Sequence, residues 1–110
     1  MQMPNYLELK TVDMAATKAF YTTAFGLEFT DYGPEYAGVS GDGMEIGLHH
    51  STQSEPPLAG FQTGDIAKTA DTVRAAGGTI TQETYEFPGG RRFHFRDPGG
   101  NELLVYCYDE

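Results

Sequence analysis

Basic residues are scarce in this 110-residue sequence: seven Lys and Arg stand against sixteen Asp and Glu, a formal net charge of −9. Binding to a phosphate backbone needs clustered positive charge, so nucleic acid is excluded as the expected partner. Cysteine occurs once, at Cys107, which rules out an internal disulfide. No stretch approaches the roughly 18 consecutive apolar residues of a membrane span. The opening MQMPNYLELK has neither the charged nor the apolar region of a secretion signal, so the cytoplasm is the expected location. Ser-His-Asp spacing, a phosphate-binding loop and a C-x-x-C pair are likewise missing.

What the chain does have is punctuation. Fourteen glycines and six prolines separate short apolar stretches, the pattern of many turns between strands rather than of disorder. YLELK alternates as a half-buried strand does. Asp13 then caps a helix through MAATKAFYTTAF, with Met14, Thr17, Phe20, Tyr21 and Ala24 on one stripe and Gly26 as its left-handed stop. Strands are expected at LEFTDY, YAGVS and MEIGLHH. The second half repeats the plan: LAGFQT as a strand, Asp65 as a cap, a helix burying Ile66, Thr69, Val73 and Ala76, and Gly77-Gly78 as the stop. Three more strands follow near TITQETY, RRFHF and NELLVYC, the last two joined by a turn at DPGGN, where Asp97 bonds nearby backbone and Pro98 fixes φ.

Sliding the sequence by 52 positions pairs Thr11 with Thr63, Asp13 with Asp65, Ala15 with Ala67, Thr17 with Thr69, Ala24 with Ala76 and Gly26 with Gly78. These coincidences at caps and stops indicate a duplicated βαβββ unit. The single domain, 1–110, therefore divides into a module at about 5–50, a polar linker at 51–57 and a second module at about 58–108. Modules this small bury little surface alone, so their sheets are expected to combine.

Alternation also assigns faces. Leu7, Leu9, Met44, Ile46 and Leu48 fall on the helix side of the first module, and Ala59, Phe61, Leu103 and Val105, with Cys107, on that of the second. The opposite face carries Tyr6, Glu8 and Lys10, then Glu45, Gly47 and His49, and in the second module Leu58, Gly60 and Gln62, Arg92 and His94, and Glu102, Leu104 and Tyr106. Apolar and aromatic groups among charges suggest a half-dry groove suited to a small molecule. Arg92, with Arg96, flanks His94 as an anion clamp with a titratable proton. Glu8, or Glu45, is a candidate general base once desolvated. His49 is a further catalytic candidate, although a His49-His50 pair at a strand end reads equally as surface.

VDMAATKAFYTTAFGLEF resembles the first helix of the vicinal-oxygen-chelate superfamily, which includes glyoxalase I, bleomycin- and fosfomycin-resistance proteins and extradiol dioxygenases. GDIAKTADTVRAAGGTI and FPGGRRFHFRDPGGNELLVY resemble its second module, so the likeness spans residues 5 to 108. It implies an α+β fold in which two βαβββ modules form an open, barrel-like mixed sheet around a groove, commonly in a homodimer. It also implies where a divalent metal would bind: counting from the caps and glycine turns, at Tyr6, Gly47, Leu58 and Leu104. None of these is a His, Glu or Gln. A displaced set from Glu8, Glu45, Glu102 and His49 is the alternative that keeps a metal.

The expectation is therefore a small-molecule-binding protein without a metal or other cofactor, its ligand touching Tyr6, Glu8, His49, Leu58, Arg92, His94, Leu104 and Tyr106. The alternatives are a lyase, isomerase or dioxygenase, using displaced metal ligands or acid–base chemistry at Glu8, His49 or His94, and an interaction module whose groove is filled by a partner chain.

Overall fold

The computed structural model describes residues 1–41 and 43–109. The chain divides into two compact units, one of Asn5–Pro57 and one of Met1–Pro4 with Leu58–Glu110. The fold is α+β, and each unit has the βαβββ plan.

In the first unit, β1 (Tyr6–Thr11) leads into α1 (Met14–Phe25), then β2 (Thr30–Asp31), β3 (Tyr36–Gly41) and β4 (Met44–His50). Its strands lie in the order β2-β3-β4-β1, with β1 parallel to β4 and the other pairs antiparallel. The parallel register sets Tyr6 beside Glu45, Glu8 beside Gly47 and Lys10 beside His49. Asp13 caps α1 by accepting from the Ala16 N–H at 3.0 Å, and Gly26 closes it at φ 73°. The strand expected across LEFTDY shrinks to two residues, Thr30 and Asp31, which pair with Gly38 and Ala37, and the Tyr32 N–H then donates to the Tyr36 carbonyl at 2.9 Å to close the turn. The stripe on α1 is also thinner than its spacing suggests. Met14, Thr17 and Tyr21 are half-buried, whereas Phe20 is 58 % exposed and Ala24 is exposed.

In the second unit, β5 (Leu58–Gln62) leads into α2 (Ile66–Ala75), then β6 (Thr79–Phe87), β7 (Gly90–Arg96) and β8 (Glu102–Tyr108), in the order β5-β8-β7-β6. β5 and β8 run parallel, with Gly60 beside Leu104. Asp65 caps α2 by accepting from the Lys68 N–H at 3.1 Å. Its left-handed stop is Gly77, at φ 102°. Gly78, which matches Gly26 in the duplicated sequence, instead permits close helix–strand contact, since a Cβ there would come within 2.6 Å of Val73 Cγ1. Ile66 and Ala70 of α2 are buried against Phe93, Val105 and Cys107, with Phe61, Val73, Ile80 and Phe95 around them. Ala70 takes the buried place that the spacing gives to Ala76, which is exposed.

Residues 51–57 carry no helix or strand. The turn at Asp97 is closed by the Asn101 N–H and side-chain amide, both donating to the Asp97 carboxylate, and only Gly100 in it takes positive φ.

Candidate functional site

The sheet faces away from the helices hold the most buried polar groups of each unit. Glu8 is 1 % exposed and Leu104 is 0 %, whereas Leu7 and Leu9 are only half-buried and Met44 is 43 % exposed. The reason is mutual satisfaction: a buried polar group is tolerated when its bonds are made. Every buried polar side-chain atom among the described residues has a partner.

In the first unit the Tyr6 hydroxyl donates to Glu8 Oε1 at 3.2 Å, and the Tyr36 hydroxyl lies 3.2 Å from the Tyr6 oxygen. Glu8 Oε2 is held by the Lys10 ammonium in an ion pair. Period-two alternation on β1 brings Tyr6, Glu8 and Lys10 to one face, and the β3–β4 hairpin delivers Tyr36 to it. Gly47 lies beneath the phenols. A Cβ there would overlap the Tyr6 hydroxyl and come within 2.6 Å of the Tyr36 hydroxyl. His49 is half-buried, its ring 6.1 Å from that of Tyr36 at 66°. Glu45, beside Tyr6 in the register, is also half-buried.

In the second unit, His94 is buried at the centre of a separate cluster. Its Nε2 lies 2.9 Å from the Tyr85 hydroxyl and 3.3 Å from Arg92 Nη2, while its Nδ1 lies 3.5 Å from Glu102 Oε2. Arg92 Nε donates to the Tyr85 oxygen, and its guanidinium carbon sits 5.5 Å from the Tyr85 ring centre. These contacts fix the tautomer of a neutral ring. Arg92 only donates, so Nε2 is the acceptor and the ring hydrogen sits on Nδ1, directed at Glu102. Thr81 Oγ1 donates to the same Glu102 oxygen at 3.1 Å. Arg96 shares the strand face with His94 but is exposed. Leu104 pairs with His94 and Tyr106 with Arg92 across β7 and β8, both buried, and Leu58, two residues before Gly60, is half-buried.

Sequence reasoning thus finds Tyr6, Glu8, Arg92 and His94 but misses Tyr36 and Tyr85. Tyr85 has a readable signal: a turn at Pro88-Gly89 sets Tyr85 opposite Arg92. Tyr36 has none, since nothing local to its sequence links it to Tyr6. Glu8 and His94 belong to different units.

The Glyoxalase/Bleomycin resistance protein/Dioxygenase superfamily model matches residues 4–105. The chain belongs to this superfamily. Its fold is similar to that of methylmalonyl-CoA epimerase from Mycobacterium tuberculosis, with a TM-score of 0.79 at 12 % identity over 97 % of this chain and 88 % of that one. It is similar also to the Streptomyces coelicolor epimerase in complex with 2-nitronate-propionyl-CoA, with a TM-score of 0.78 at 16 % identity over 100 % of this chain and 99 % of that one. A Legionella pneumophila protein described as an NAD-dependent benzaldehyde dehydrogenase gives 0.78 at 19 % identity, over 96 % of this chain and 100 % of that one. At such identities the likeness is one of fold. No curated protein is significantly similar in sequence.

The divalent ion implied by the superfamily does not fit the residues at its four positions. Tyr6 offers one phenol oxygen, already donating to Glu8; Gly47 offers no side chain, and a Cβ there would overlap that phenol; Leu58 and Leu104 offer carbon. A divalent cation needs three or more N, O or S donors. Nor does the displaced set come together: among the described residues no three of His, Cys, Asp or Glu are grouped to hold an ion. Among the same residues, no helix is long and apolar enough to cross a membrane.

Proposed function

We propose that this chain is a small-molecule-binding member of the superfamily that works without the family's ion. The observation that carries the reading is the Tyr6 hydroxyl seated over Gly47, because two of the four ion positions then complete a hydrogen-bonded aromatic surface. Such a surface, apolar with a few fixed polar atoms, suits a planar or anionic metabolite. In the first unit the ligand contacts are Tyr6, Glu8 and His49. In the second they are Leu58, Arg92, His94, Leu104 and Tyr106. The acyl-CoA analogue bound by the Streptomyces epimerase puts thioesters among the first compounds to try. A homodimer is the inferred assembly, supported by the family resemblance, and the cytoplasm is the inferred location, in keeping with a chain that has a single cysteine.

The test is a thermal-shift screen of metabolites, thioesters included, alongside Mn, Ni, Zn and Fe salts. A ligand that binds only the folded chain raises the melting midpoint. A metabolite is expected to do so and the metals are not; failure of the whole metabolite set, or a metal shift removed by substitutions on these faces, sinks the reading. A second reading, acid–base chemistry of a lyase or isomerase, is favoured by the Tyr85–His94–Glu102 chain. Recovery of the bound metabolite unchanged favours simple binding, and recovery of an altered one favours the enzyme.

A further inference from the structure

The duplication supplies an internal control on the two helices. The outward face of α2 carries Lys68, Asp71, Thr72 and Arg74, all exposed, the charged exterior of an ordinary surface helix. At the offset of 52 positions the matching residues of α1 are Ala16, Ala19, Phe20 and Thr22, equally exposed and without a charge. Inward the order is reversed. Ala70, buried on α2, is matched by the half-buried Lys18 on α1, whose ammonium lies 2.7 Å from Asp31 Oδ1. None of the 12 residues of α1, all among the described residues, is buried. Three rings nevertheless gather on it: the centre of Phe20 lies 5.1 Å from Tyr21 and 6.4 Å from Phe25, and Tyr21 lies 6.1 Å from Phe25. Phe20 is 58 % exposed, Phe25 69 % and Val12, just before the cap, 59 %. An outer helix face with the composition of a core marks an interaction surface.

We propose that this face of α1 is the contact through which two copies of the chain pair about a twofold axis. The proposal rests on the homodimer of the reading above and gives it a surface, on the helix side of the first unit and away from that unit's ligand contacts. Charge selects the second copy. The first unit, Asn5–Pro57, holds eight acids against two lysines, a formal −6. It therefore repels acidic partners and anionic lipid, and it draws a basic partner to its carboxylates rather than to a strip that has none. Lys18 is the one charged residue of α1, and Asp31 balances it. A second copy meets this strip with the same uncharged strip, the arrangement that brings the least like charge together when both molecules are acidic. Shape points the same way. A twofold contact needs a patch that complements itself, and spacing by three and four residues lines the Phe20 ring up with the small Ala16, Ala19 and Thr23, a ridge beside a hollow. One helix face is smaller than the roughly 800 Å² per partner of a standard interface, so the pair is expected to form over the micromolar range.

Sedimentation velocity of the full chain, followed from dilute to concentrated across the micromolar range, is expected to pass from the mass of one chain to that of two. Phe20→Glu is expected to weaken the pairing about tenfold or more, because it sets two like charges against each other in the contact. Thr72→Glu, at the matching place on α2, is expected to leave it unchanged. Because the pairing is weak, substitutions at Phe20 are read in the mass and hardly in the unfolding of the chain. A short bismaleimide is then expected to link two copies of Ala19→Cys and not of Asp71→Cys, with wild type, whose Cys107 is buried, as the blank. A chain of single mass throughout overturns the proposal, also where it binds phosphatidylcholine vesicles or another protein through the same rings. A dimer indifferent to Phe20→Glu in a variant that keeps the wild-type circular dichroism, or one linked equally at both cysteines, overturns it too, and leaves the homodimer standing on some other surface. Small-molecule binding is read separately, by the thermal-shift screen.

Discussion

The hydroxyls of Thr11 and Thr17 lie 2.7 Å apart, tying the end of β1 to the first turns of α1. Thr63 and Thr69 repeat this at 2.7 Å in the second unit, and in both units the first Thr also accepts from the capping Asp backbone, at 3.0 Å from Asp13 and 3.2 Å from Asp65. The duplicated letters are thus a duplicated strand-to-helix joint. Thr11→Val and Thr63→Val each keep the side-chain shape and remove this hydroxyl, and each is expected to cost about 1 kcal/mol in urea unfolding.

Gly47 is expected to be intolerant of any side chain. Gly47→Ala forces the Tyr6 and Tyr36 hydroxyls aside and should cost about 1–3 kcal/mol. Part of that cost should disappear in Tyr6→Phe, so a double-mutant cycle by urea unfolding checks the contact itself.

Two phenylalanines should behave oppositely. Phe93, fully buried at the centre of the second unit's core, is expected to cost about 3–5 kcal/mol as Phe93→Ala. Phe20, largely exposed on α1, should change stability by no more than about 0.5 kcal/mol as Phe20→Ala. Calorimetric melting of the two variants makes the comparison.

The Asp97 turn contributes an acid-sensitive element. Bonds from the Asn101 side chain, and then from the Asn101 backbone N–H, hold the Asp97 carboxyl below its ordinary 3.8. Below 3.8 the unfolded chain binds this proton more readily than the folded one, so the stabilisation is complete above that pH and is lost as pH falls through the lower folded value. Urea midpoints measured on descending pH below 3.8 should therefore fall more steeply for wild type than for Asp97→Asn.

Much of the frame was legible because helix ends are written locally. Asp13, Asp65, Gly26 and Gly77 stand where short-range bonding needs them, and strand alternation sorted Tyr6, Glu8, His94 and Leu104 onto the faces they occupy. What alternation does not encode is which face is covered. Apolar content pointed to Leu7 and Leu9, yet Tyr6 and Glu8 are more buried, since polar groups whose hydrogen bonds are made within the fold tolerate burial. Tyr36 and Tyr85 escaped for another reason. Their contacts reach beyond directly opposed residues: Tyr36 meets Tyr6 across the intervening β4, and Tyr85 meets His94 where the β6 register shifts between Gln82 and Tyr85. The two-residue β2 shows the limit from the other side, where an apolar alternation in LEFTDY outran the partners available to it.

Cys107, the sole thiol of the chain, is 5 % exposed and packed with Phe93, Val105, Ile66 and Ala70. A reagent in solution reaches that sulfur only when α2 lifts from its strands, so alkylation keeps time with the opening of the second unit. The molecule thus carries its own clock for one half of its fold, set by a residue of its core.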